Sequence, residues 1–130
     1  MSTIFTKIIN REIPAYIVAE DERFIAFLDV FPIAKGHVLV VPKIPVDYIF
    51  NLEDDILSDL HVFSKKVAKA VEKVIPCKRI GIAVIGLEVP HTHIHLVPIN
   101  SVTDIDFSKP KLKLEDTEMK SIAQAIIEAI

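Results

Sequence analysis

Cysteine is almost missing from this 130-residue chain. Cys77 stands alone, which excludes an internal disulfide and fits a reducing compartment. Basic clusters are missing too: 15 Lys and Arg are scattered among 18 Asp and Glu for a net charge of -3, a balance that argues against a nucleic-acid partner. Long apolar runs are absent. The longest, Ile80 to Leu87, falls far short of the ~20 residues that cross a bilayer, and Met1 to Asn10 holds no apolar signal core. With no repeat or low-complexity tract, the expectation is a cytoplasmic protein with no membrane partner. A single domain over residues 1–130 should bury roughly two thirds of its surface.

Apolar spacing then divides the chain into elements. Ile4, Phe5, Ile8 and Ile9 recur at helical intervals before Pro14, which predicts a short opening helix. Ala15 to Ala19 and Phe24 to Leu28 are β-rich runs joined by the polar Glu20-Asp21-Glu22-Arg23, and His37 to Val41 forms a third run ended by Pro42. From Glu53 onward Ile56, Leu57, Leu60, Phe63, Val67, Ala70, Val71 and Val74 repeat every three or four residues until Pro76, the pattern of a long amphipathic helix. Arg79 to Ile85 and His91 to Val97 supply a second strand pair. The polar stretch Ser101 to Lys113 predicts a loop, and Met119, Ile122, Ala123, Ile126 and Ile130 mark a final helix whose stripe should dock within the chain or across a dimer. The predicted fold class is α+β, an antiparallel sheet of about five strands with the long helix on one face, that face being the dry one.

His91, His93 and His95 alternate along the last strand, so the three imidazoles should emerge on one face while Thr92, Ile94 and Leu96 turn toward the core. Three adjacent rings serve no packing purpose, since each buried imidazole needs hydrogen-bond partners and each charge raises the cost of the next. The patch reads as a site. His61, between Leu60 and Phe63, reads as a surface residue, and Cys77 as a structural or exposed thiol.

The string His91-Thr92-His93-Ile94-His95-Leu96-Val97 resembles the His-x-His-x-His signature of the histidine triad (HIT) family. Three further segments are similar, in the same order, to its Hint-like branch: Ile4 to Ile9 with Glu12-Ile13-Pro14, then Phe27-Leu28-Asp29, then His37 to Lys43. The resemblance covers about Ile4 to Val97. It implies a nucleotidyl hydrolase or transferase that acts on nucleoside phosphoramidates or related nucleotides through a covalent adduct on His93. His91 and His95 would contact phosphate oxygens, and His37 would support them from the neighbouring strand. Asp29 would hold the ribose hydroxyls, and Ile4, Phe5, Ile8, Phe27 and Val30 the base, with purine nucleotides and a homodimer implied as well. No cofactor is implied. The cysteines of a structural zinc site found in some relatives are replaced by Thr3 and Thr6, and a candidate histidine by Pro45, so no metal is expected.

The chain departs from the family pattern just before the triad. Leu87 stands where Gln is usual and Glu88 where Ser or Thr is common near the leaving group. An acidic side chain there favours a cationic leaving group such as an amine. Two alternatives stay open from the residues: a nucleotide-binding protein with weak or no turnover, and a metal site built from the alternating histidines with His37.

Overall fold

The computed structural model describes residues 2–130. Helix α1 (Ile4–Ile9) leads into strands β1 (Ile17–Glu20), β2 (Phe24–Leu28) and β3 (Val38–Pro42). Helix α2 (Asp54–Val74), strands β4 (Arg79–Ala83) and β5 (Ile94–Ile99), and helix α3 (Asp116–Ala129) follow. The five strands form one sheet in the order β1-β2-β3-β5-β4, with every neighbouring pair antiparallel. The α+β class expected from the sequence is therefore observed. No helix among the described residues is long and apolar enough to cross a membrane.

Alternation along the strands builds two apolar layers. On one face Phe24, Ala26 and Leu28 of β2, Val38 and Val40 of β3, and Ile94 and Leu96 of β5 meet Leu60, Phe63, Val67 and Val71 of α2. Met119, Ala123 and Ile126 of α3 join the same cluster, so the final helix docks within the chain. Each fully buried Val, Leu, Ile or Phe among them contributes roughly 1.5–3 kcal/mol. The other face was expected to be wet, and here the structure corrects the sequence reading: β2 and β3 are buried at every position. Ile25, Phe27, Leu39 and Val41 are covered by Phe5 and Ile8 of α1, with Ile13, Ile17 and Val89 at the margin. A six-residue helix cannot stand alone in water, so this burial is what holds α1 in place.

Local chemistry fixes both ends of α1. The Thr3 hydroxyl accepts from the Phe5 and Thr6 amides while the Thr6 hydroxyl accepts from the Thr3 amide at 2.7 Å, a reciprocal cap. At the other end Arg11 takes a left-handed conformation with φ 61°, its amide reaching the Ile8 carbonyl and the Glu12 amide the Lys7 carbonyl at 2.8 Å. The chain turns back there, and α1 lies across the face on which the histidines emerge.

Candidate active site

The β3–β5 ladder carries the site but stops earlier than the sequence suggests. Its register pairs Val38 with Leu96, Leu39 with His95 and Val40 with Ile94. Continued two residues, that register would face Thr92 with Pro42, which has no amide to offer. Strand β5 accordingly begins at Ile94, and His91 and His93 precede it instead of lying on it. Thr92 anchors the extended approach elsewhere, its amide donating to the Val46 carbonyl at 2.8 Å and its hydroxyl to the same oxygen at 2.7 Å.

His37, His93 and His95 share a cavity of about 450 Å³, a size suited to a small organic ligand. Ile4, Phe5, Ile8, Phe27, Asp29, Val30 and Glu88 line it as well, so every residue assigned to substrate binding from the sequence borders the same space. His91 does not. It is fully buried beneath Phe5, with ring centroids 5.9 Å apart, and its Nε2 donates to the Pro42 carbonyl at 2.7 Å. From there it orients His93 through its own carbonyl.

Backbone partners decide where the ring protons sit, because a carbonyl only accepts and an amide only donates. His93 Nδ1 donates to the His91 carbonyl at 2.7 Å, which leaves the lone pair of a neutral ring on Nε2. His37 Nδ1 accepts from the Ile33 amide at 3.2 Å, so its proton lies on Nε2 and is given to His95 Nδ1 at 3.0 Å. His95 in turn carries its proton on Nε2. Neither His93 Nε2 nor His95 Nε2 is sealed in the protein. Among the described residues the one buried side-chain nitrogen or oxygen without a partner is His91 Nδ1. The arrangement thus presents a free lone pair on His93 beside an N–H donor on His95, with the two ring centroids 4.9 Å apart.

Burial disfavours the charged forms of His37, His95 and His91. It lowers His37 to about 4, helped by the nearby Lys111 ammonium and by His93. His95 is lowered to about 3, chiefly by burial, then by His37 and His93, with Asp29 opposing. His91 is also lowered by burial, against the pull of its bond to the Pro42 carbonyl.

Asp29 closes a turn and borders the cavity at once. One carboxylate oxygen accepts from the Phe31 amide at 2.9 Å and the other lies 3.6 Å from His37 Nε2. Among the described residues, Asp29, His37 and His95 are those that could hold a metal, their ligand atoms all lying within 4.8 Å of one another. An ion there would have to break the His37–His95 hydrogen bond and displace the proton it shares.

Sequence reasoning missed Phe107 and Lys111. Residues 105–112 form a strap that lines the cavity through Phe107 and Lys111, tied down where the Leu112 amide donates to the Pro32 carbonyl at 2.8 Å. The Phe107 ring rests on His95, with centroids 4.6 Å apart. An isolated aromatic in a polar loop was the only signal.

Residues 10–102 match the HIT domain family. A HIT-like protein of Methanocaldococcus jannaschii is 44% identical over 105 residues, covering 73% of this chain and 77% of the relative. The protein of Schizosaccharomyces pombe named adenosine 5'-monophosphoramidase is 33% identical over 129 residues, covering 97% of this chain and 96% of its own. The crystal structure of a HIT-like protein from Bartonella henselae superposes with a TM-score of 0.85 at 28% identity, covering 99% of this chain and 97% of that one. The chain described here belongs to the histidine triad (HIT) family.

Proposed function

We propose that the protein is a nucleotide hydrolase that cleaves nucleoside 5'-phosphoramidates or related nucleotides through a covalent nucleotidyl adduct on His93. The observation that carries this reading is the protonation pattern: a backbone carbonyl holds the His93 proton on Nδ1 and frees Nε2 toward the cavity. A neutral imidazole is a competent nucleophile near pH 7, and the phosphorus-nitrogen bond it forms is labile enough for water to complete the cycle. The S. pombe relative's name supports the substrate class.

Attack by Nε2 forms a bond to phosphorus and breaks the one to the leaving group. The phosphorylated ring keeps its Nδ1 proton and becomes cationic, and the His91 carbonyl at 2.7 Å faces that new charge. His95 Nε2–H donates to a phosphate oxygen as charge builds there, an interaction of a kind whose loss typically costs 10²–10³ in rate. His37 fixes the His95 tautomer from behind. Water then attacks the same phosphorus and releases the nucleoside monophosphate. Ile4, Phe5, Ile8, Phe27 and Val30 enclose the base, with purines favoured, and Asp29 takes the ribose hydroxyls. Glu88, exposed on the cavity wall, favours an amine leaving group already protonated on nitrogen, whose positive charge it faces before the bond to phosphorus breaks and the neutral amine departs. A homodimer belongs to the same reading, supported by the edge strand β4, where Ile82 is 53% exposed.

The test is hydrolysis of adenosine 5'-phosphoramidate with excess chelator. Wild type should turn over and His93→Ala should not; equal rates would remove His93 from the reaction. A second reading, nucleotide binding with weak turnover, is favoured by Leu87, which is 88% exposed and offers no polar group to phosphate. Nucleotide binding without turnover by wild type would establish it.

A further inference from the structure

The cavity walls pose an electrostatic problem for any phosphate ester. Asp29 and Glu88 border the space, and His37 and His95, which also face it, are held neutral by burial. The segment Ile85 to Val89 offers a phosphate the apolar Leu87 and the acidic Glu88. A nucleotide anion entering such a site meets repulsion unless a cation is supplied. Among the described residues, one Lys or Arg lines the cavity, and it is Lys111.

Lys111 is set for the task by the strap. Its ammonium donates to the Phe107 carbonyl at 2.8 Å and stands 5.8 Å from the centre of the Phe107 ring, whose rim packs on His95 and His37. The charge thus stands beside the same ring that packs on His95 and His37. Lys111 enters none of the ion pairs among the described residues, and two of its three N–H donors stay free of the Phe107 bond. Its field already reaches His37 and His95. The residue lies beyond the stretch that matches the HIT domain, residues 10–102.

We propose that Lys111 is the anion-binding residue of this site, delivered by the 105–112 strap to take a phosphate oxygen of the bound nucleotide, with Phe107 as its positioning residue. The inference rests on the nucleotide reading given above and names the group that makes the charged ligand acceptable. Lys111 selects nucleotide over nucleoside, and the apolar slot binds both.

Calorimetric titration of wild type, Lys111→Met and Lys111→Arg with adenosine 5'-monophosphate and with adenosine tests this at low salt. Lys111→Met keeps the stem and loses the charge. It should weaken the monophosphate about tenfold, since a charged hydrogen bond is lost at a partly screened site, while adenosine binding stays within about twofold. Lys111→Arg should restore most of the difference, which a loop-tethering role does not explain. An unchanged ratio of the two affinities in Lys111→Met, or equal weakening of both ligands, would overturn the proposal. Nucleotide binding without turnover in wild type would refute the hydrolase reading and leave the Lys111 comparison intact. Failure of wild type to bind either ligand would overturn both.

Discussion

Acid should unfold this protein through the buried histidines of its candidate site. His37 and His95 are held at about 4 and about 3 in the folded state, against an ordinary value of 6.5. The unfolded chain therefore binds more protons throughout the window from about pH 6.5 to pH 4, and stability falls as pH falls. Near pH 5 both rings are neutral when folded and mostly protonated when unfolded, so each contributes about 1.4 kcal/mol per pH unit and the pair nearly 3. For His37 alone the loss between pH 7 and pH 4 amounts to about 3 kcal/mol, a large share of a typical domain's 5–15 kcal/mol. His91, lowered by the same burial, steepens the fall. Urea denaturation at half-unit pH intervals measures the slope directly. His95→Gln supplies the control, because a Gln carbonyl can still accept from His37 Nε2–H while one titrating ring is gone. The slope of that variant near pH 5 should drop by about 1.4 kcal/mol per pH unit. A flat unfolding free energy between pH 6.5 and pH 5, or an unaltered slope in His95→Gln, would refute the claim that these rings are buried neutral.

Other consequences are simpler to measure. Gly36 has φ 85°, and a Cβ there would sit 2.7 Å from Ile75 Cγ1, so Gly36→Ala should cost about 2 kcal/mol and lower Tm by several degrees in a thermal melt. Thr92→Val removes the hydroxyl that donates to the Val46 carbonyl; a loss of about 1–2 kcal/mol in chemical denaturation is expected, with a drop in turnover as the approach to His93 loosens. Glu88→Gln should lower activity on amine-leaving substrates relative to uncharged leaving groups, and an unaltered ratio in parallel steady-state assays would sink that assignment.

The parts of the fold that follow from periodicity were legible in the sequence. The spacing from Ile56 to Val74 gives α2, and Ile94 and Leu96 face the core as their alternation with His95 requires. The covering of the second sheet face was not legible, because Ile4 to Ile9 shows a helix without showing what it lies against, and Ile25, Phe27, Leu39 and Val41 read equally well as a half-wet face. The start of β5 hides for a similar reason: the pattern His-Thr-His-Ile-His is that of a strand, and only pairing with Pro42 cuts it short. Site residues near one another in sequence were visible as a group. Lys111 and Phe107 were not, since a polar loop carries no period and its path over the cavity depends on a backbone bond between Leu112 and Pro32. Thr3 and Thr6, singled out for the cysteines they are not, serve as the two halves of a helix cap.

The free lone pair of His93 is the centre of the account, and trapping what it forms tests it most directly. Wild type mixed with a nucleoside phosphoramidate labelled at phosphorus should be quenched within one turnover in alkaline denaturant, which preserves phosphorus-nitrogen bonds, and its peptides mapped. Label on the peptide bearing His93, localised to that ring and absent from His93→Ala, is the expected result. Turnover without label on His93, or label on His91 or His95 in its place, would contradict the mechanism.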